Sequence, residues 1–242
     1  MPRLDVLLAR NLGCSRTAAA RLIQSGGVRD DAGRILDQRR VEIAASGLPA
    51  WVVVDDDRRL PLYDSFHLML NKPPGVVTAL RDERHPTAFA LLGGAPLEGE
   101  LRAVGRLDLD TTGLLLWTTD GQWVQRLTHP KRQIPRTYQA ALARPFHAIP
   151  PDFALEDGHR PTITSLALVE RGTLHPALLV PDGDAPVFAQ ITVVGGAYHE
   201  VRRIFAALGS HVQALCRTAF GRLALPADLP LGAYAAVDLA TV

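Results

Sequence analysis

Between Gly105 and Gly113 the chain reads Gly-Arg-Leu-Asp-Leu-Asp-Thr-Thr-Gly, and the apolar stretch 114–117 comes directly after it, closed by Thr118-Thr119-Asp120-Gly121. That stretch has the character of a buried strand, so a basic residue and two carboxylates stand directly beside a core element. An ionised carboxylate taken out of water costs on the order of several kcal/mol unless it is paired and hydrogen-bonded. Tight turns do use aspartate: Asp110 can cap the backbone of Thr111 or Thr112 while Gly113 supplies a positive φ. A turn has no need of a second aspartate beside Arg106. Asp108 is therefore the residue that calls for a functional reason.

Composition narrows the setting of this motif. With 242 residues, 47% of them hydrophobic, the chain can bury one large core or two smaller ones. No stretch approaches the roughly 20 apolar residues of a membrane span, and Met1-Pro2-Arg3-Leu4-Asp5 lacks the long apolar centre of a leader. The expectation is a cytoplasmic protein without a membrane partner. Cys14 and Cys216 are far apart and form no CxxC, and the histidines show no HExxH spacing, so neither a disulfide framework nor a metal site is expected. A net charge of +1 does not by itself suggest nucleic acid. The charge is uneven, however: residues 121–151 carry Arg126, Lys131, Arg132, Arg136 and Arg144 and no acid.

The chain begins with two short helical patterns. Leu4, Leu7 and Leu8 keep helical spacing up to a stop at Gly13, and Ser15 is a good N-cap for a second helix through Gln24. Gly26-Gly27 ends it, and 28–41, with Asp30-Asp31-Ala32-Gly33 inside, reads as two short strands around a turn. This unit carries Arg10, Arg16, Arg21, Arg29, Arg34, Arg39 and Arg40, and the charged run 55–59 after it looks solvated, which puts a domain boundary near residue 60. Beyond it lie strand candidates at 67–71, 75–78, 101–106, 114–118, 137–143, 165–170 and 187–194. Asp120 is placed to cap a helix bearing Trp123, Val124 and Leu127. In a clearer helix over about 199–208, Val201, Ile204, Phe205 and Leu208 form one apolar stripe. Arg202 falls on the flank of that stripe, facing a cleft, and Arg203 nearer the opposite side, facing solvent or phosphate.

In their order and residues these motifs resemble the pseudouridine synthases of the RsuA type, enzymes of ribosomal RNA. The run 105–116 resembles the family's active-site motif, whose essential carboxylate, after Arg-Leu, falls on Asp108. Leu70-Asn71-Lys72-Pro73-Pro74-Gly75 resembles its first motif, His129-Pro130 through Arg136-Thr137-Tyr138 its third, and Tyr198-His199-Glu200-Val201-Arg202-Arg203 its fourth, with the family's active-site basic residue on Arg202. The N-terminal unit is similar to the small RNA-binding domain named after ribosomal small-subunit protein four. Within the family, Thr118-Thr119-Asp120-Gly121-Gln122-Trp123 and the single Asp-Thr-Thr-Gly favour the branch acting on small-subunit (16S) RNA. Two positions depart from the pattern: Arg136 stands for the usual Lys before Thr-Tyr, and Glu200, for the usual Gln, adds negative charge near Arg202.

The resemblance implies an α+β chain. A small α/β RNA-binding domain over 1–59 would precede a catalytic domain over 60–242, built on a mixed, mainly antiparallel sheet flanked by helices. It also implies isomerisation of uridine to pseudouridine without a cofactor, on ribosomal RNA or a small-subunit assembly intermediate, by a monomer. Asp108 would act as nucleophile or base, Arg202 would hold it ionised and oriented, and Tyr138 would stack on the flipped uracil. Arg106, Lys131, Arg132, Arg136, Arg203, Arg16 and Arg21 are the candidate RNA contacts. Lys72 joins them, although a turn-supporting role suits it better. The competing readings are the large-subunit branch, a noncatalytic RNA-binding or ribosome-assembly protein, and a metal-dependent nucleotide-sugar enzyme using Asp108 and Asp110 as a metal-binding pair.

Overall fold

The computed structural model describes residues 3–38, 50–55, 58–181 and 187–242. The chain divides into two compact units, Met1–Phe66 with Gly94–Leu101, and His67–Gly93 with Arg102–Val242. In the first, Leu4–Leu12 forms helix α1 and Arg16–Gln24 forms α2. Gly13 ends α1 in the left-handed conformation at φ 65°, and the Ser15 side chain accepts from Ala18 N at 3.2 Å to start α2. Leu4, Leu7 and Leu8 share one face, are fully buried, and pack with Ile23 and Val28. Each such burial stabilises by about 1.5–3 kcal/mol. Strands β1 (Val28–Asp30), β2 (Ala50–Val54) and β3 (Arg58–Leu62) form an antiparallel sheet in sequence order.

One expectation for this unit changes. The Asp30 carboxylate accepts from the backbone of Ala32 and Arg34, both at 2.9 Å, and makes the expected turn. Past that turn the expected second strand is reduced to one bridge, Arg29 to Ile35, and β1 takes its ladder from β2 instead; Arg39, Arg40 and Val41 lie outside the described residues. The charged run keeps its solvated character and joins a strand: Arg58 and Arg59 are exposed on β3, where Arg59 stacks over Trp51 and pairs with Asp31; Asp56 and Asp57 lie outside the described residues.

The second unit is built on nine strands: β4 (His67–Lys72), β5 (Arg102–Val104), β6 (Thr111–Thr118), β7 (Pro135–Leu142), β8 (Thr162–Leu168), β9 (Val187–Val194), β10 (Val212–Phe220), β11 (Leu223–Ala224) and β12 (Tyr234–Ala236). The order is β12-β4-β6-β10-β7-β9-β8, and among the described residues every pairing of strands is antiparallel except β6 with β10. The sheet is thus mixed and mainly antiparallel, as the resemblance implies. Helix α3 (Gly121–Thr128) is capped by Asp120, which accepts from Gln122 N, and α4 (Glu200–Ala207) buries Val201, Ile204 and Phe205. Residues 75–78 form no strand. Val77 makes one bridge to Thr87, and Gly75, at φ 75°, donates to Leu109 O at 2.8 Å.

One detail of the ladder positions everything else. β5 pairs with the end of β6, Arg102 opposite Thr118, whereas β10 pairs with its start, Leu215 opposite Thr111. The loop from Gly105 to Asp110 therefore leaves the sheet where one neighbour of β6 gives way to another. Gly113 permits the β10 contact: a Cβ there would lie 2.4 Å from Arg217 O, and its φ is 100°. Gly113→Ala would force these two strands apart.

Candidate active site

The loop 105–110 is held from below by its backbone. Thr78 Oγ1 donates to Leu107 O at 3.0 Å and accepts from Leu107 N at 3.1 Å. Lys72 is fully buried, and its Nζ donates to Pro73 O, Leu109 O and Thr111 O at 3.0, 3.2 and 2.9 Å. All three ammonium protons are used, which overturns the expectation of a phosphate contact at Lys72: the first motif is the footing of the loop. Burial pushes the Lys72 ammonium down to about 8, and the nearby Asp110 and Asp108 charges only partly oppose this.

Above this footing Asp108 is one-third exposed, and among the described residues no hydrogen bond reaches its carboxylate. Arg202 Nε lies 3.8 Å from Oδ2 and His199 Nε2 lies 3.6 Å from Oδ1. The terminal nitrogen Nη2 of Arg202 stands 2.9 Å from Asp110 Oδ1 without hydrogen-bond alignment, and its Nη1 donates to Val212 O. Asp110 is thus an ion-pair partner of Arg202. The turn bond comes from elsewhere, from Thr111 N to Asp108 O at 3.1 Å. Helical periodicity places Arg202 on the cleft side of α4, and there it is found. His199, which that periodicity leaves unremarked, sits ahead of α4 at φ 49°, a conformation uncommon for a residue with a side chain, and its ring stacks on Tyr198 at 3.8 Å.

Asp108, Tyr138, His159, His199, Arg202 and Arg217 share one cavity of about 450 Å3, a size that suits a small organic group such as a nucleobase. Tyr138, on β7, is 9% exposed and lies opposite Arg217 of β10. Arg217 is 2% exposed; its Nε donates to Leu114 O at 2.7 Å, and its Nη2 is buried without a partner among the described residues. This buried guanidinium is a functional candidate that neither the motifs nor the periodicity single out. The signal that marks Asp108, a charge inside an apolar run, is nonetheless present again in Ala214-Leu215-Cys216-Arg217.

The remaining basic residues fall into two groups. Arg106, Lys131, Arg132 and Arg21 are exposed. Three others are engaged. Arg16 Nη2 pairs with the buried Asp5 at 3.1 Å, and Arg203, far from being a free solvent-facing cation, pairs with Asp157 at 2.6 Å. Arg136 donates to Ile134 O and Gly195 O and packs over Phe220 at 4.9 Å. Burial, seconded by the Arg217 charge, lowers Arg136 from arginine's usual value, and the Glu200 charge partly opposes this. Among the described residues no group of three His, Cys, Asp or Glu side chains could hold a metal ion, and no helix is long and apolar enough to cross a membrane.

Comparison with known proteins agrees with this geometry. The chain is 37% identical over 232 residues to the ribosomal small subunit pseudouridine synthase A of Vibrio parahaemolyticus, and 36% identical over 233 residues to that of Escherichia coli K12. Each match covers 96% of this chain and 94% of the relative. A crystal structure of a pseudouridylate synthase, 31% identical, superposes with a TM-score of 0.57 over 99% of this chain and 97% of its own. The family model of RNA pseudouridylate synthases matches residues 67–207, which hold Asp108, Tyr138 and Arg202. With its acidic loop, its guanidinium partner and this shared sequence, the chain belongs to the RNA pseudouridylate synthase family.

Proposed function

We propose that this protein converts one uridine of small-subunit ribosomal RNA to pseudouridine, with Asp108 as the reacting carboxylate. The reaction breaks the bond from ribose C1′ to uracil N1, turns the base and joins C1′ to C5; N1 ends with a proton and C5 loses one. No oxidant or energy source enters. The observation that carries the reading is the meeting of Asp108 and Arg202, from loop and helix far apart in sequence, at a cavity that Tyr138 also lines.

Asp108 attacks the sugar or removes a proton from it, and both roles need the ionised form at a site that excludes water once the base has entered. Arg202 supplies the compensating charge, and with Nε toward Asp108 and Nη2 toward Asp110 it orients the loop. The uridine leaves its stack to reach the carboxylate, at a cost of a few kcal/mol, and stacking on the Tyr138 ring offsets part of this. Arg106, Lys131 and Arg132 track phosphates from the surface, and the first unit, with Arg21 exposed, docks RNA in the manner of the small ribosomal-protein-like domain. The protein works in the cytoplasm as a monomer.

Pseudouridine mapping of ribosomal RNA with and without the gene tests the reading. One site lost from the small subunit supports it. A site lost from the large subunit overturns the branch, and no lost site overturns the activity. Because residues 94–101 belong with the first unit, deleting 1–59 would strip their packing. Arg21→Gln is the cleaner probe of docking and is expected to lower the salt slope of RNA binding.

A further inference from the structure

Glu200 is a buried acid that the proposed chemistry does not use. Its side chain is 4% exposed; Oε1 lies 2.8 Å from His159 Nε2, and Oε2 is buried with no partner among the described residues. A Cβ on Gly195 would stand 3.1 Å from each carboxylate oxygen, so the backbone there has closed around it. A carboxylate so placed is costly unless it is paired, and the pair it makes is with His159, seconded by the Arg136 charge.

What depends on it is the turn at 155–159. The connection between β7 and β8 contains no helix or strand, and this turn closes on itself: Leu155 N donates to His159 O and Gly158 N to Leu155 O, both at 2.8 Å. Two side-chain contacts then bind it to α4, His159 to Glu200 at 2.8 Å and Asp157 to Arg203 at 2.6 Å. Helix α4 is itself fixed, because Val201, Ile204 and Phe205 are buried. The helix therefore positions the turn, not the reverse. His159 lines the same cavity as Asp108, and with Nε2 committed to Glu200 its Nδ1 is the ring nitrogen left for substrate.

We propose that Glu200 is a positioning residue: by anchoring His159 it makes the turn 155–159 a fixed wall of the pocket, which presents His159 Nδ1 to the nucleotide that enters. This rests on the uridine isomerase reading and adds a substrate-contacting residue, His159, to it. On this reading Gln would serve as well as Glu at position 200, because either side chain offers an oxygen to Nε2–H.

The test is steady-state kinetics on 16S RNA transcribed in vitro, with unfolding followed in parallel. His159→Ala is expected to raise KM about tenfold, the worth of one hydrogen bond, with kcat kept within about twofold. Glu200→Leu is expected to match it, Glu200→Gln to stay within about twofold of the parent, and the double variant to be no worse than either single one. An unchanged KM in His159→Ala, or a loss of kcat in place of the KM effect, overturns the proposal. Should Glu200→Leu fail to fold, His159→Ala and Glu200→Gln decide it alone. Should the parent show no turnover, the isomerase reading fails. Binding of a labelled oligouridine to parent and His159→Ala then decides the wall by itself: weaker binding supports it and equal binding overturns it.

Discussion

Lys72 and Asp108 lie at the foot and the tip of the same loop, and they are treated oppositely. Lys72 is sealed from solvent with its three protons on three carbonyls. Asp108 is partly open, with the nearest nitrogens of His199 and Arg202 at 3.6 and 3.8 Å. Bonds made fully in the resting protein hold shape, whereas bonds left long can shorten when charge develops on a bound substrate, and only the second kind lowers a barrier. The foot is built for stability; the tip, under the proposed function, is left open for chemistry.

Substitution at the tip should break this contrast most sharply. Asp108→Asn is expected to reduce release of tritium from C5-labelled uridine in RNA by at least ~10^4-fold, with RNA affinity held within a few fold. Turnover near the parent level would remove Asp108 from the chemistry. Arg202→Met is expected to lower kcat by ~10^2–10^3-fold, the scale of losing one preorganised partner of a reacting group, with a smaller change in KM. Equal losses in both Arg202→Met and Asp110→Asn would instead assign the guanidinium to holding the loop.

At the foot the expected loss is in stability. Lys72→Met leaves carbonyls unpaired and is expected to lower the free energy of unfolding by ~3 kcal/mol in urea titration. Its pH dependence has a definite sign. The folded lysine releases its proton near 8, and its ordinary value is 10.5, so between these values the unfolded chain binds more protons and the parent gains stability as pH rises. The gap between parent and Lys72→Met should therefore widen from pH 8 toward 10; a constant gap would mean that the ammonium is not desolvated.

The same contrast explains which features the sequence makes legible. Asp108 and Arg202 stand out because each breaks a local pattern, a charge beside an apolar run and a cation on the flank of an apolar stripe. Helices α1, α2 and α4 come from periodicity and from Ser15 and Gly13 as caps. Strand β10 escapes the pattern because Gln213, Arg217 and Thr218 interrupt its apolar run, although it is central to the sheet. Residues 75–78 look like a strand because Val76 and Val77 favour extended backbone, yet their neighbours bond to the loop instead of a ladder. Arg16 and Arg203 read as free cations because Asp5 and Asp157, their partners, are brought to them only by the fold.

The parallel pairing of strands β6 and β10 also sets a schedule for synthesis. Its two strands are separated by α3, β7, β8, β9 and α4, and β10 ends at Phe220 of 242 residues. A partner so remote is slow to close. A chain emerging from the ribosome thus carries Asp108 long before the strand beside its loop exists, and the loop is fully seated only after β10 has been made.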